Sequence, residues 1–175
     1  IPCISGVDSL DLTQEKQARQ WIDKNTIDPL MSSWEKSGMS WSHTISRKKL
    51  ANNLGLNNIE KIVINQRSVS GRIIDMSFYG PEEVRILGEA KIREVFGGLR
   101  SSFFYIDGKN NSNRNGKVEI IPDGILNLKG KGYGHGVGMC QSGALRLARE
   151  GKNYWDILSF YYPGTQISTD WMYYE

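Results

Sequence analysis

The feature of this sequence that most limits how it can fold is a run of alternating glycines at positions 130, 132, 134, 136 and 138. A glycine inside regular structure costs roughly 0.5–1 kcal/mol relative to alanine, because the chain loses more backbone freedom on folding. A chain tolerates this cost where its backbone must turn tightly or where another group must come close. The run therefore predicts a special backbone segment between a strand and a helix, with N–H groups placed to meet an anion or a carbonyl oxygen.

Side chains with chemical potential are concentrated in the same segment. His135 stands between two glycines, and Cys140 and Gln141 follow about one helical turn later. The segment is neither a P-loop nor a dinucleotide-binding fingerprint, because it lacks G-x-x-x-x-G-K-[ST] and no strand–turn–helix–strand unit follows. A ligand-binding role is one interpretation of this segment, and two structural interpretations remain open. In one, the glycines serve close packing; in the other, His135 is a packed, hydrogen-bonded histidine.

The cysteines and histidines exclude several kinds of site. Cys3 and Cys140 are the only cysteines, and they either form one bridge in an oxidising compartment or are both free thiols. Cys140 is a better candidate for a small buried residue than for a nucleophile, since a thiol enzyme needs His135 in hydrogen-bond reach and a third orienting group. With two histidines, His43 and His135, and no C-x-x-C pair, neither a metal nor another cofactor is expected.

Composition points to an ordinary globular chain of 175 residues, with 39% hydrophobic and 23% charged residues and a mean hydropathy of -0.45. A net charge of +3 gives no reason to expect a nucleic-acid partner. No stretch approaches the roughly 18–20 apolar residues of a membrane span. The sequence starts Ile1-Pro2-Cys3 without a charged leader, as expected of a mature form, a proteolytic product or a piece of something longer.

The pattern of elements predicts an α+β fold, in which an antiparallel β meander is flanked by short helices at both ends of a single domain, residues 1–175. Ser46 is predicted to cap a helix that Gly55 ends, and Asn153 with Asp156 predicts a capping box. Residues 25–45 are expected to be irregular and 107–116 to form a polar loop. Pro122-Asp123-Gly124 is expected to be a hairpin turn. Helices are predicted at about 13–24, 47–54, 89–96, 139–149 and 154–161, and strands from residue 60 to residue 128.

Aromatic and basic side chains allow two interpretations each. The aromatic side chains form a carbohydrate-stacking platform or belong to the core, and the core is favoured for two of them, Trp21 and Trp155. The basic side chains contact acidic or polar groups of a glycan or form a solvated face. His43 is expected to be structural. The aromatic set is Trp21, Trp34, Trp41, Trp155, Tyr161 and Tyr162, and the basic set is Arg72, Lys129 and Lys131.

Residues 132–144, GYGHGVGMCQSGA, resemble the signature of the stage II sporulation protein D family, whose domain is shared with LytB-type amidase enhancers. Three further segments are similar to that family: Ser70-Gly71-Arg72 before an apolar strand, residues 98–104, and the closing run at 157–165. Cys140 stands where many members of the family have serine. The resemblance extends over about residues 1 to 168.

The resemblance implies a peptidoglycan lytic transglycosylase, in which one carboxylic acid of raised pKa protonates the glycosidic oxygen. The 6-hydroxyl of muramic acid then closes onto C1 and leaves an anhydro end, so that no water attacks. The family's helical motif with the catalytic glutamate does not occur in residues 1–175. We therefore assign no catalytic residue in this chain, expect that glutamate outside it, and match the chain to the later part of the family domain.

The resemblance also implies partners and a place. The partners would be peptidoglycan glycan strands and a cell-wall amidase, and the location would be extracytoplasmic, in a bacterial periplasm or cell wall. The alternative is a non-catalytic module that binds peptidoglycan or enhances an amidase. The candidate substrate-binding residues are Tyr133, Gly134, His135, Gly136, Gly138, Cys140 and Gln141.

Overall fold

The computed structural model describes residues 10–24, 36, 39–107, 111–114, 117–166 and 168. Its short helices and antiparallel strands confirm the α+β class. None of the helices in these ranges has the length and apolar character needed to cross a membrane. In chain order the elements are α1 (Glu15–Asp23), β1 (Ser40–Ser46), α2 (Arg47–Asn53), β2 (Lys61–Arg67), β3 (Ile73–Tyr79), β4 (Glu83–Leu87), α3 (Glu89–Val95), β5 (Phe104–Asp107), β6 (Asn111–Arg114), β7 (Lys117–Ile120), β8 (Ile125–Lys131), α4 (Gln141–Arg149) and α5 (Tyr154–Tyr161).

The strands form two antiparallel sheets, one ordered β4-β3-β2-β7-β6 and the other β1-β8-β5. Because β7 and β8 belong to different sheets, the hairpin predicted at Pro122-Asp123-Gly124 is wrong. These residues instead carry the chain from one sheet to the other. The backbone N–H of Arg47 donates to the carbonyl of Gly124 at 2.9 Å, and the Arg47 side chain donates to that of Pro122 at 3.4 Å. The turn is thus fixed against the start of α2.

Two strands lie where the sequence predicted none. β1 occupies part of the supposedly irregular stretch 25–45 and pairs with β8 from Ser40↔Lys131 to Ser46↔Ile125. β6 occupies part of the supposed loop 107–116 and pairs with β7. Both are edge strands, and both are rich in serine or asparagine rather than in the apolar residues that mark a strand in sequence.

One hydrophobic core is built from both sheets and from the helices α2 and α3. Three buried aromatic rings run through it: Phe96 lies 5.3 Å from Phe104 and 6.1 Å from Phe78, measured between ring centroids. Trp41 of the edge strand β1 packs against Phe104, with ring centroids 6.2 Å apart. Since rings at these separations gain beyond their buried area, the aromatic row ties the two sheets together.

The helix ends follow the sequence closely. The Ser46 side chain accepts from the N–H of Lys49 at 3.2 Å, and the capping box between Asn153 and Asp156 is complete. Gly55 has a φ of 71°, as its predicted left-handed position requires. Helix α1 begins later than predicted, because the N–H and hydroxyl of Thr13 donate to the Asp11 carboxylate instead of capping the helix.

The chain divides into two compact units, one of which extends from Val7 to Gly136 and holds both sheets with α1, α2 and α3. The smaller unit takes in the chain from Val137 onward and holds α4 and α5. Within the smaller unit a Cβ on Gly143 of α4 would lie 2.0 Å from the hydroxyl of Tyr161 in α5, so only glycine allows this close approach. Residues 1–175 as one domain remain a prediction.

Candidate functional site

The chain leaves β8 through a segment of left-handed glycines. Gly132, Gly134, Gly136 and Gly138 have φ values of 78°, 79°, 69° and 75°, a region that other residues rarely adopt. We call residues 132–136, which belong to the larger unit, the glycine loop. The alternating glycines therefore serve a repeated backbone turn.

Main-chain hydrogen bonds fix the base of the glycine loop. The N–H of Gly132 donates to the carbonyl of Met39, and that of Gly134 to the carbonyl of Arg100, both at 2.8 Å. The Trp41 indole N–H donates to the carbonyl of Gly132 at 3.1 Å. The loop is thus held by the segment before β1 and by the segment after α3.

The two large side chains of the glycine loop point into solvent. Tyr133 is 72% exposed, and His135 is exposed as well. This is not the environment of a histidine packed in a core. The phenol and the imidazole are both accessible to a ligand in solution.

Arg72, just before β3, lies directly against the glycine loop. A Cβ on Gly136 would stand 2.1 Å from the Cζ of Arg72, and one on Gly132 would stand 3.9 Å from its Nη2. Burial lowers the pKa of Arg72, Glu89 acts to raise it, and Arg93 lowers it further. The guanidinium therefore lies beneath a stretch of main chain that carries no side chains at the points of contact.

The other two basic candidates have structural surroundings. Lys131 is buried, and its ammonium donates to the carbonyls of Trp21 and Lys24 at the C-terminal end of α1, where the helix dipole favours a cation. Burial lowers its pKa. Lys129 is exposed and pairs with Asp107 at 3.2 Å. Neither contact involves a residue of the glycine loop.

The remaining predicted site residues belong to the smaller unit. The N–H of Met139, beside Gly138, donates to the Tyr162 hydroxyl at 3.2 Å. Cys140 caps α4, its sulfur accepting from the N–H of Gly143 at 3.4 Å, and Gln141 is the exposed first residue of that helix. The seven predicted residues are therefore divided between the two units at Gly136.

Cys140 is disulfide-bonded, and Cys3, the other cysteine, lies outside the described residues. A sulfur in a disulfide offers no thiolate. The structure therefore gives no support to a thiol enzyme that uses Cys140 and His135.

The sequence pattern of one family, a domain of unknown function called DUF8618, matches residues 6–138, which is more than half of the chain. The chain belongs to this family. The matched range nearly coincides with the larger compact unit, Val7 to Gly136.

Curated relatives match the DUF8618 chain over short segments. The amidase enhancer of Bacillus subtilis is 55% identical over 42 residues, 24% of this chain and 6% of that protein. Stage II sporulation protein D of the same organism is 60% identical over 38 residues, 22% and 11% of the two lengths. An uncharacterized protein of Brachyspira hyodysenteriae is 50% identical over 50 residues, 29% and 13%.

The resemblance to the sporulation protein D and amidase-enhancer family is confirmed by these matches. The matched segments span only a small part of the relatives' own length.

Five glutamates of the DUF8618 chain that lack the family's catalytic motif are exposed or lie near a basic side chain. Glu89 lies 3.8 Å from Arg93, and Glu119 lies 3.8 Å from Lys61. The three others, Glu82, Glu83 and Glu94, are exposed.

Two buried carboxylates that the sequence did not single out are held by arginines. Glu15 accepts from Arg67, itself 4% exposed, and Arg85 donates to Asp75 through two nitrogens at 3.0 and 2.6 Å. The hydrogen bonds from Arg85 are the main reason that the pKa of Asp75 is lowered. Arg67 is 52 residues from Glu15 along the chain, and Arg85 is 10 residues from Asp75, so local sequence patterns gave no signal for either pair.

The aromatic residues of the DUF8618 chain, for which a carbohydrate-stacking platform and the core were both open, differ in their exposure. Trp21 and Tyr161 are buried, which confirms the core prediction for Trp21. Trp155 is 44% exposed, so its core prediction is wrong: α5 is short and turns Trp155 outward beside Tyr154, with ring centroids 5.0 Å apart. Trp34 lies outside the described residues.

His43 of β1 is partly buried, and a Cβ on Gly97 would stand 4.0 Å from its Nε2, which agrees with a structural role.

Within the described ranges, no three His, Cys, Asp or Glu side chains come together as ligands for a metal ion. A pocket of about 390 Å³ lies in the smaller unit, lined by Leu147, Lys152, Asp156, Ser159 and Phe160. None of the predicted site residues lines it.

Proposed function

We propose that this chain binds cell-wall glycan strands through the face of the larger unit that carries Tyr133 and His135, as part of a peptidoglycan-processing protein. The observation that carries the proposal is the exposure of both side chains on a loop whose base is fixed by main-chain hydrogen bonds. The names of the relatives, amidase enhancer and stage II sporulation protein D, support a role related to the cell wall.

The chemistry of the glycine loop suits a sugar polymer. The phenol ring of Tyr133 offers an apolar face for the C–H side of a sugar ring and a hydroxyl for hydrogen bonding. The imidazole of His135 adds a donor and an acceptor when neutral. Because glycines flank both residues, a chain of bulky rings meets no other side chain of the loop as it approaches.

Two versions of this function differ in where the acid comes from. In a lytic transglycosylase, a carboxylic acid that is protonated at neutral pH must face the glycosidic oxygen. Glu15 and Asp75 are each bound by an arginine, so neither carboxylate is available for this role, and the pKa of Asp75 is lowered chiefly by the hydrogen bonds from Arg85. We therefore place the acid of a transglycosylase outside this chain. The alternative is a non-catalytic module that binds peptidoglycan or enhances an amidase, and the paired carboxylates favour it for this chain by itself.

The disulfide at Cys140 supports a location outside the cytoplasm. Disulfides persist in oxidising compartments and are rare where thiol reductants are maintained. An extracytoplasmic protein meets peptidoglycan directly, so the location and the binding proposal agree.

Sedimentation with purified, insoluble peptidoglycan tests the binding. We expect Tyr133→Ala and His135→Ala each to weaken binding by roughly tenfold, the effect of losing about 1.4 kcal/mol. Tyr154→Ala, which removes a tyrosine 61% exposed in the smaller unit, is the matched control and should leave binding unchanged. Equal binding by all four proteins, or no binding by the wild type, would contradict the proposal.

Product analysis separates the two versions. The whole natural protein is incubated with glycan strands, and the products are examined by mass spectrometry for anhydro-muramic ends. Their formation supports the transglycosylase version. The amidase-enhancing version is supported if the protein binds without forming such products, and if a wall amidase hydrolyses peptidoglycan faster with this protein present than without it.

A further inference from the structure

Among the described residues, three buried side-chain polar atoms have no hydrogen-bond partner, and one of them belongs to Arg72, which lies against the glycine loop. These atoms are the Nε of Arg72, one carboxylate oxygen of Glu89 and the hydroxyl of Ser102. The N–H of Ile73, next to Arg72, donates to the carbonyl of Ser102 at 2.9 Å, and the charge of Glu89 acts on Arg72. A buried donor or acceptor left unpaired costs about 1–3 kcal/mol. Among these atoms the Nε of Arg72 lies beside the glycine loop, and it indicates a position where a polar ligand can supply an acceptor.

The charges at this place do not balance. Arg72 and Arg93 face one carboxylate, Glu89, which lies 3.8 Å from Arg93. The Nε of Arg93 already donates to the carbonyl of Leu99 at 2.8 Å. An arginine stays protonated at physiological pH even when burial lowers its pKa. The cluster therefore carries an excess of one positive charge, and the nitrogen without an acceptor belongs to Arg72.

The glycine loop packs directly on this guanidinium. Gly136 and Gly132 pass over it without side chains, and a methyl group at Gly136 would overlap with its Cζ. An arginine fork matches the oxygens of a carboxylate or a phosphate, with which it forms short, charge-assisted hydrogen bonds. Such an oxygen would give the Nε its acceptor and neutralise the excess charge.

We propose that Arg72, beneath the glycine loop, is a binding site for an anionic oxygen group, either a carboxylate or a phosphate. This site is separate from the proposed glycan contact, which depends on Tyr133 and His135 and requires no charge. Each proposal can fail while the other holds.

Titration of the whole chain with small anions tests the site. Sodium lactate supplies the carboxylate and inorganic phosphate the phosphate, each at constant ionic strength against sodium chloride. The readouts are the ¹H–¹⁵N signals of the Arg72 Nε–H and of the backbone amides of residues 132–136. We expect a saturable shift with at least one of the two anions, and which anion produces it identifies the ligand class.

Substitutions at Arg72 and in the glycine loop give the controls. Arg72→Gln should weaken anion binding by about tenfold or more, while Arg72→Lys keeps the charge and should weaken it less. Gly134→Ala and Gly136→Ala both place alanine at a positive φ, but only the second puts its Cβ against Arg72. Gly136→Ala should therefore lose binding that Gly134→Ala retains.

Two results would overturn the proposal. One is a wild-type response no larger than that to chloride, which would mean that the Nε is satisfied by hydration alone. The other is an unchanged affinity in Arg72→Gln, with thermal unfolding showing that this variant is folded. If either glycine variant fails to fold, the Arg72→Gln result decides.

Discussion

At the scale of single residues, the glycines of this chain differ in how closely neighbouring atoms approach the position that a Cβ would occupy. Gly130 of β8 pairs with Trp41 of β1, and a Cβ there would stand 2.2 Å from the indole ring. Gly130 therefore makes room for the ring that packs on Phe104 and hydrogen-bonds to Gly132. Gly124 has no atom within 4 Å of such a Cβ.

We predict that Gly130→Ala lowers the free energy of unfolding by about 1–3 kcal/mol, because the indole ring cannot move without disturbing the core. Gly124→Ala should leave it unchanged or slightly higher, since alanine restricts the unfolded chain. Urea unfolding followed by tryptophan fluorescence measures both. Equal stability of the two variants would show that the ring moves aside freely.

Residues with local partners were predictable from the sequence, and residues with distant partners were not. Ser46 and Asn153 act on N–H groups three residues away, so their caps are visible in the sequence. Arg72 meets the glycine loop some sixty residues further on, and Arg67 meets Glu15 in α1. The exposure of His135 likewise depends on how the glycines turn, which composition alone does not fix.

At the scale of elements, the capping box of α5 offers a clean measurement. The side chain of Asn153 accepts from the N–H of Asp156 at 3.1 Å, and that of Asp156 accepts from the N–H of Asn153 at 3.3 Å. We predict that Asn153→Ala destabilises the helix by about 1 kcal/mol, whereas Asn153→Asp retains the cap. Amide hydrogen exchange of residues 154–161 measures this, and equal exchange in the two variants would contradict the role of the cap.

The link between α1 and the sheets rests on a buried ion pair. Arg67 donates to Glu15 and to the carbonyls of Gly71 and Phe104. We predict that Glu15→Ala lowers the free energy of unfolding by about 3–5 kcal/mol, because the guanidinium of Arg67 stays buried without a counter-charge.

Arg146→Gln is the control for that variant, since it breaks a partly exposed pair between α4 and its C-terminal capping residue, Glu150, and should cost less than about 1 kcal/mol. Chemical denaturation compares the two. Similar losses in both variants would mean that Arg67 reaches water once Glu15 is gone.

Strands with apolar residues were predicted better than strands rich in serine and asparagine. The strands β2 and β3 have runs of apolar residues, and their positions agree with the sequence prediction. The edge strands β1 and β6 are rich in serine and asparagine, so their pairing partners determine them. The division of β7 and β8 between two sheets depends equally on distant partners, which the turn residues between them do not reveal.

For the whole molecule, Asp75 adds a pH-dependent contribution to stability. Its pKa in the folded state is lowered, chiefly by hydrogen bonds from Arg85. The stabilisation is therefore present above the ordinary aspartate pKa of about 4, and it is lost as the pH falls through the lower folded value. We predict that the wild type loses more stability than Asp75→Asn between about pH 6 and pH 3. Parallel losses in urea titrations of both proteins would contradict this.

The boundary of the larger unit provides a further prediction for the whole chain. The family match ends at residue 138 and the unit at Gly136, although the motif that carried the resemblance continues to residue 144. We predict that a fragment of residues 7–136 unfolds cooperatively by itself, because it contains the whole hydrophobic core. Calorimetry of the fragment would show a broad, non-cooperative transition if the later residues were needed.

The pairing of β1 with β8 has a consequence for synthesis on the ribosome. Ser40–Ser46 pairs with Ile125–Lys131 and, among the described strands, with no other. Translation delivers those later residues only after roughly eighty more have been added, which at about 5–20 residues per second takes several seconds. Until then Trp41 lacks its glycine partner, and the nascent polypeptide offers chaperones an aromatic strand to shield.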